Sequence, residues 1–143
     1  MAITSAVCNS FKQEILEGEH NFTASTGDTF NLALYDSDAV LNKSTTAYTT
    51  TEELATTGGY TAKGKALTSV TPVLDSDTAV CDFDNISWTS ASFTARGCLI
   101  FNDDNSDTSV CAIDFGGDKT VTSGTFTIEF PAAAASTAII QIA

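Results

Sequence analysis

The stretch that most constrains the fold is SFTARGCLIFN at Ser92–Asn102, which is followed by an acidic turn and a second apolar run, VCAIDF. At the two-residue period of a strand, one face of the first run carries only apolar residues and glycine. These residues are Phe93, Ala95, Gly97, Leu99 and Phe101. A long strand that is apolar on one whole side and partly apolar on the other is typical of the middle of a sheet. The two runs therefore predict a β-hairpin at the centre of the fold.

Shorter segments with the same alternation surround this hairpin. They predict strands at residues 30–35, 66–74, 78–83, 125–130 and 138–142. Pro72 places its strand at a sheet edge, because proline cannot donate a ladder hydrogen bond. The pair Gly116-Gly117 predicts a turn that separates VCAIDF from the strand at 125–130.

The segment Thr4–Glu17 predicts the one convincing helix. Val7, Phe11 and Ile15 recur every fourth residue and would form an apolar stripe. Thr4 or Ser5 could cap its start, and Gly18 would end it. The stripe could pack on the chain's own sheet. Alternatively, Phe11 and Ile15 could contact a partner subunit. His20 follows without an obvious carboxylate partner, and we expect it in a loop or at the surface.

These elements together predict an all-β fold, a β-sandwich or jelly-roll-like arrangement of about eight strands with one N-terminal helix. At 143 residues the chain is long enough for one sizeable core, so we expect a single domain at 1–143, with residues 1–20 as helix and arm. The first residues lack the pattern of a signal peptide. No apolar run approaches the roughly 20 residues that span a bilayer, so a membrane partner is not expected.

The charge balance also restricts the partners. Eighteen acidic and six basic residues give a formal charge of −12. Such a surface repels phosphate backbones, and no cluster of lysine or arginine makes a local exception. Nucleic acid is therefore not an expected partner.

The four cysteines, Cys8, Cys81, Cys98 and Cys111, include no C-x-x-C pair. Three of them lie within apolar strand patterns, which favours buried free thiols. A cross-strand disulfide between Cys98 and Cys111 is the main alternative. With a single histidine in the chain, a zinc site is poorly supported.

Arg96 stands in the middle of the central strand, where an unpaired charge would be costly if buried. Its face of the strand could be open to solvent. Alternatively, Arg96 could pair with a carboxylate, either inside the domain or across a subunit contact.

The acidic turn resembles part of a calcium-binding loop. Asp103, Asn105 and Asp107 match the first three ligand positions, and Asp114 stands where a bidentate carboxylate would fall. Thr108 replaces the glycine expected at the sixth position, and the flanking segments are strands. An acidic hairpin tip without a metal is the other interpretation.

No catalytic constellation can be assigned from the sequence. There is one histidine and no glycine-framed serine, so no nucleophile–base pair emerges. We therefore predict a protein that is not an enzyme and that needs no cofactor.

The order of several motifs resembles a family of small virion structural proteins of tailed bacteriophages. These motifs are VCNSFKQEILEGEHNF, FNLALY, SFTARGCLIFN, IDFGGDKTVTSGTFTIEFP and AIIQIA. The resemblance covers nearly the whole chain. It implies a non-enzymatic virion component, made in the host cytoplasm and placed on the capsid surface. It further implies a capsid decoration or cement protein that contacts the major capsid protein and assembles as a homotrimer.

A head-fibre or tail-associated protein, either structural or an adhesin, is the alternative. An exposed aromatic platform around Tyr48, Tyr60 or Trp88 would favour the adhesin, whereas packing in the core or at its rim is the other interpretation of these side chains.

Overall fold

The computed structural model describes residues 2–143, and within them it contains eight strands and one short helix. The prediction of an all-β fold is confirmed. The elements are β1 (Ala6–Val7), α1 (Asn9–Leu16), β2 (Phe30–Tyr35), β3 (Lys65–Ala66), β4 (Ser69–Asp75), β5 (Thr78–Phe83), β6 (Ile86–Asn102), β7 (Thr108–Ile128) and β8 (Ile140–Ile142).

The strands form two antiparallel sheets. The larger has the order β1-β7-β6-β2-β3, and the smaller has the order β4-β5-β8. A shared apolar core joins them, with Phe30 and Ile100 contributed by the larger sheet and Phe83 and Ile140 by the smaller. This arrangement is that of a β-sandwich, in which each sheet covers the apolar face of the other.

The central hairpin is longer than the sequence predicts. β6 begins at Ile86, and β7 continues to Ile128 without a turn at Gly116-Gly117. The predicted turn is therefore wrong, and the strand predicted at 125–130 coincides with the last residues of β7, which ends at Ile128. The glycines instead lie where the pairing shifts, because Ala95 is opposite Lys119 whereas Gly97 is opposite Asp114. Gly116 has a φ of +79°, which lets the chain absorb the extra residues as a bulge.

This bulge also changes which side chains share a face. Phe93 and Ala95 contact the core between the sheets. Leu99 and Phe101, which simple alternation places on the same face, lie in a second apolar cluster with Leu41 and Tyr35. An insertion in one strand of a pair disrupts the ladder and bends the strand, so a two-residue period does not extend across it.

The helix begins five residues later than predicted, at Asn9, with Cys8 as its N-cap. Neither Thr4 nor Ser5 caps it, because the chain before Cys8 is extended and pairs with β7. In that pairing Val7 lies opposite Cys111. Its branched side chain favours an extended backbone, and the sheet supplies the partner. Gly18, with a φ of +78°, follows the end of the helix as predicted.

The segment predicted as one strand at 66–74 divides into β3 and β4. β4 is an edge strand, and its pairing with β5 is irregular between Val70 and Val73, around Pro72. The edge position predicted from proline is confirmed. Among the described residues, no helix has both the length and the apolar character that crossing a membrane requires.

Candidate interaction surfaces

One exposed apolar surface lies where the helix meets the smaller sheet, and we call it the helix-end surface. Across β4, β5 and β8, Leu74 is paired with Ala79, and Ala79 is paired with Ile142. Leu74 is 74% exposed and Ile142 is 56% exposed. Ile15 lines a shallow groove of about 120 Å³ beside Ile142, and the next helical residue, Leu16, is 89% exposed. Leu74 and Ile142 lie on either side of Ala79, and exposed large apolar side chains that cluster in this way are typical of contact sites.

The two residues predicted as subunit contacts on the helix differ in accessibility. Phe11 is only 3% exposed and packs against the rings of His20 and Phe22. It therefore anchors the helix to the chain's own core, which is the first of the two predicted alternatives. Ile15 is half-buried at the rim of the helix-end surface, within reach of a partner.

A second apolar surface follows the outer half of β7 and the C-terminal segment after it, and we call it the ribbon groove. It is an open groove of about 600 Å³. Its apolar lining residues are Ile113, Phe115, Val121, Phe126, Ile128, Phe130, Pro131 and Ile139. All except Pro131 are half-buried.

β6 and β7 form a two-stranded ribbon in this region, and the face of the ribbon that carries their hydroxyl side chains is polar. The hydroxyls of Thr94 and Thr120 are 2.9 Å apart, and those of Ser87 and Thr127 are 2.8 Å apart. These cross-strand pairs align β6 with β7 and mark this face as the one that meets water. The ribbon is thus amphipathic.

Arg96 pairs with carboxylates of its own chain. Its Nε donates to Asp114 Oδ1 at 3.1 Å, and its Nη1 lies 3.5 Å from Asp118 Oδ1. Both carboxylates belong to the bulged part of β7 beside Gly116. The Gly116 N–H and, to a smaller extent, the Arg96 guanidinium hold the pKa of Asp114 below its ordinary value. The pairing inside the domain, one of the predicted alternatives, is therefore present.

The candidate calcium residues lie at the tip of the central hairpin, next to a lysine. Lys63 Nζ is 2.7 Å from Asp103 Oδ1 and 3.0 Å from Asp107 Oδ1. Asn105 is directed elsewhere, since its amide donates to the carbonyl and the carboxylate of Glu19. The ammonium group occupies the position between the two carboxylates that a cation would otherwise take. This geometry favours the interpretation of an acidic hairpin tip.

A different acidic group comes together after β2. The carboxylates of Asp36, Asp38 and Glu52 have oxygens within 4.8 Å of one another. The chain brings them together because the N–H of Asp36 donates to the carbonyl of Glu52. Sequence reasoning missed this group, because the contact joins residues on either side of a long irregular loop.

Two buried polar clusters were also missed. His20 lies in the loop after α1, as one of the two predicted alternatives has it, but it is only 6% exposed, so the predicted surface position is wrong. Its Nε2 lies 3.4 Å from Glu14 Oε1, and its Nδ1 lies 3.1 Å from the Asn102 amide nitrogen. The imidazole fits between α1 and the end of β6 because both nitrogens have partners there.

The second cluster surrounds Glu53. Its carboxylate accepts hydrogen bonds from the hydroxyls of Tyr48 and Tyr60, at 2.5 and 2.7 Å, and from the Lys63 N–H at 2.6 Å. Burial and the hydrogen bond to Glu53 raise the pKa of Tyr48 to about 12. Tyr60 and Trp88 are 2% and 3% exposed. These two therefore belong to the core and do not form an exposed aromatic platform.

All four cysteines are buried free thiols, as the sequence predicts. The alternative disulfide is not formed, since Cys98 lies opposite Ile113 and Cys111 lies opposite Ile100. Comparisons of the chain with protein-family models, with curated proteins and with solved structures find no match.

Proposed function

We propose that this chain is a non-enzymatic virion component of a tailed bacteriophage, a decoration protein that stabilises the capsid by contacting major capsid protein subunits. It would be made in the host cytoplasm, assemble as a homotrimer and lie on the capsid surface. The motif order that resembles small virion proteins supports the assignment to a phage particle.

The observation that carries the contact role is the helix-end surface. Leu16, Leu74 and Ile142 are each more than half exposed on a rigid sheet-and-helix support. Burying such side chains against a neighbour gives about 1.5–3 kcal/mol for each side chain that is fully removed from water. Many copies on one shell would make modest contacts sufficient, because the contacts act together.

The acidic loops agree with a position on the surface of a particle. The hairpin tip and the loop after β2 concentrate the carboxylates of Asp36, Asp38, Asp103, Asp104 and Asp107. These loops would face solvent on a decorated shell, where a strong negative charge keeps particles apart in solution. The apolar helix-end surface would face the capsid.

Cryo-EM of the virion tests the location. We expect density for this chain on the outer capsid surface, with the helix-end surface against the shell. Density on the tail or on fibres alone would contradict the decoration role and favour the tail-associated or head-fibre alternative.

A binding assay tests the surface itself. We expect the double variant L16D/L74D to lose binding to shells that lack the protein. The matched control is V40D, since Val40 is also an exposed apolar residue, at 48%. Equal binding by the double variant, the control and the unmodified protein would rule out the helix-end surface as the contact.

A further inference from the structure

We propose that the ribbon groove binds one long-chain carboxylate of the fatty-acid class, with its apolar chain along β7 and its carboxylate at Lys119. This site lies away from the helix-end surface. It goes beyond the proposed capsid contact and does not depend on it.

The groove is a part of the core that the two sheets leave open. β6 and β7 have 17 and 21 residues, whereas the strands of the smaller sheet have at most 7. The smaller sheet therefore covers only part of the inner face of the larger one. Phe126, Ile128 and Phe130 line the uncovered part, and they pack on the buried core while remaining half-buried themselves. An apolar ligand there would extend an existing core.

The strand curls around this space. Phe115 and Phe126 both belong to β7, and a straight strand would separate them by roughly 35 Å. Their ring centroids are instead 6.2 Å apart. The curl makes the groove concave, and its volume of about 600 Å³ falls within the range of roughly 300–1,000 Å³ that is usual for small-molecule sites.

Lys119 gives the groove a positive charge. It is paired with Ala95, which is fully buried in the core, and directly paired residues of a ladder share a face. Lys119 therefore lies on the same face as the apolar lining. Its neighbour Asp118 is directed to Arg96, and in the part of the chain that the structure describes Lys119 forms no ion pair. An ammonium group at the rim of an apolar groove is complementary to a carboxylate on an apolar chain.

Acidic side chains do not oppose such a ligand, although the whole chain is acidic. None of the 18 acidic residues lies in 120–128 or in 130–143, the segments that form most of the groove. Glu129 borders the groove, but it stands between Ile128 and Phe130, which both pack on the core. Alternation therefore directs its carboxylate to the opposite face. The local charge thus favours an anion over a cation at this site.

Calorimetric titration at low salt tests the site, with sodium dodecanoate kept below the concentration at which it forms micelles. We expect one dodecanoate to bind per chain. Decanoate, which has two methylene groups fewer, should bind about tenfold more weakly, because each buried methylene contributes to affinity. Dodecyltrimethylammonium has an equal chain and the opposite charge, and we expect it to bind about fivefold more weakly than dodecanoate.

A variant separates the contribution of the charge from that of the chain. We expect K119M to bind dodecanoate about fivefold more weakly than the unmodified protein does and to lose the preference over the cationic amphiphile. The matched control is K43M, because Lys43 is an exposed lysine outside the groove. We expect this control to bind dodecanoate with unchanged affinity.

Absence of dodecanoate binding would overturn the proposal, and so would equal affinities of K119M and the unmodified protein. Cosedimentation with phosphatidylcholine and phosphatidylglycerol vesicles, without uptake of monomeric dodecanoate, would overturn it in favour of a membrane surface. Self-association in sedimentation equilibrium, again without uptake, would overturn it in favour of a second copy of the chain. None of these results bears on capsid binding, which the cryo-EM and shell-binding experiments test separately.

Discussion

At the scale of single residues, Asn102 connects three parts of the chain. It is fully buried, and its amide nitrogen donates to Asp28 Oδ2 at 2.8 Å and lies 3.1 Å from His20 Nδ1. Its Oδ1 accepts the N–H of Asp104 at 3.1 Å. Every polar atom of the side chain is therefore satisfied, which makes the site costly to disturb.

We predict that N102D destabilises the protein by about 2–3 kcal/mol. The substitution removes the donor shared by Asp28 and His20 and places a second carboxylate beside that of Asp28. Urea unfolding at neutral pH would measure the loss. N85D is the control, because exposed Asn85 contributes only its Oδ1 as an acceptor, and a carboxylate can replace it. Equal stabilities of the two variants would contradict the role of Asn102.

Because the thiols are buried, we predict that the free energy of unfolding decreases at alkaline pH. Burial is the main cause that raises the pKa of Cys81 and of Cys111 from 9.0 to about 12. Unfolded thiols lose their protons from about pH 9, whereas these folded thiols keep them. The stabilisation is thus complete below pH 9 and is lost as the pH rises from 9 towards 12, by up to about 1.4 kcal/mol per pH unit for each thiol.

Urea unfolding at a series of pH values would measure this slope. The double variant C81A/C111A provides the comparison, because it removes both groups, and we expect its free energy of unfolding to decline less steeply above pH 9. Identical slopes for the two proteins would show that these thiols do not cause the decline.

At the scale of elements, periodicity predicted two strands with the correct bounds, FNLALY and residues 78–83. A regular ladder with β6 continues through all of FNLALY, whereas residues 78–83 keep their alternation although the pairing with β4 is irregular. β7 could not be predicted as one strand, since a glycine pair such as Gly116-Gly117 is compatible both with a bulge and with a turn. The difference lies in the partner strand, which local sequence does not encode.

The surfaces were predictable only in part. Ile15 was identified from the helical stripe and does lie at the helix-end surface. Leu74 and Ile142 were not identified, because their meeting depends on which strands of the smaller sheet are neighbours. The clusters around His20 and Glu53 join residues from distant elements, so sequence spacing carried no signal for them.

We predict that alanine substitutions at two glycines with positive φ destabilise the protein by different amounts. Gly64 has a φ of +70°, and a Cβ there would overlap the carbonyl oxygen of Leu32 and lie 2.8 Å from the Ala33 Cα. Gly116 has a similar φ, +79°, but a Cβ there would have no heavy atom within 4 Å. We predict that G64A costs about 3 kcal/mol or more, whereas G116A costs about 1 kcal/mol from backbone strain alone.

Thermal and urea unfolding of both variants would compare these costs. Equal losses would mean that the loop holding Gly64 can move away from β2 without penalty. Such a result would contradict the close approach that positions β3 beside β2.

At the scale of the whole molecule, the charge of −12 predicts the response to salt. Self-repulsion destabilises the folded state, and salt screens it. Salt also weakens the exposed pairs of Lys63 and Arg96, but such pairs contribute at most about 1 kcal/mol each. We predict that the melting temperature rises between about 0.01 and 0.15 M sodium chloride, as the Debye length falls from ~30 to ~8 Å.

Differential scanning calorimetry at a protein concentration low enough to keep the chain unassociated would measure this response. A melting temperature that falls over the same range would show that the ion pairs outweigh the general repulsion.

The register of the first strand has a consequence for biosynthesis. Ala6 and Val7 pair with Ala112 and Cys111, and the ladder that β2 forms with β6 extends to Asn102. A ribosome must therefore have released residue 112 from its exit tunnel before the nascent chain can close its larger sheet. Until then, the apolar residues of FNLALY have no permanent cover, and we expect chaperones that bind emerging polypeptides to bind this segment.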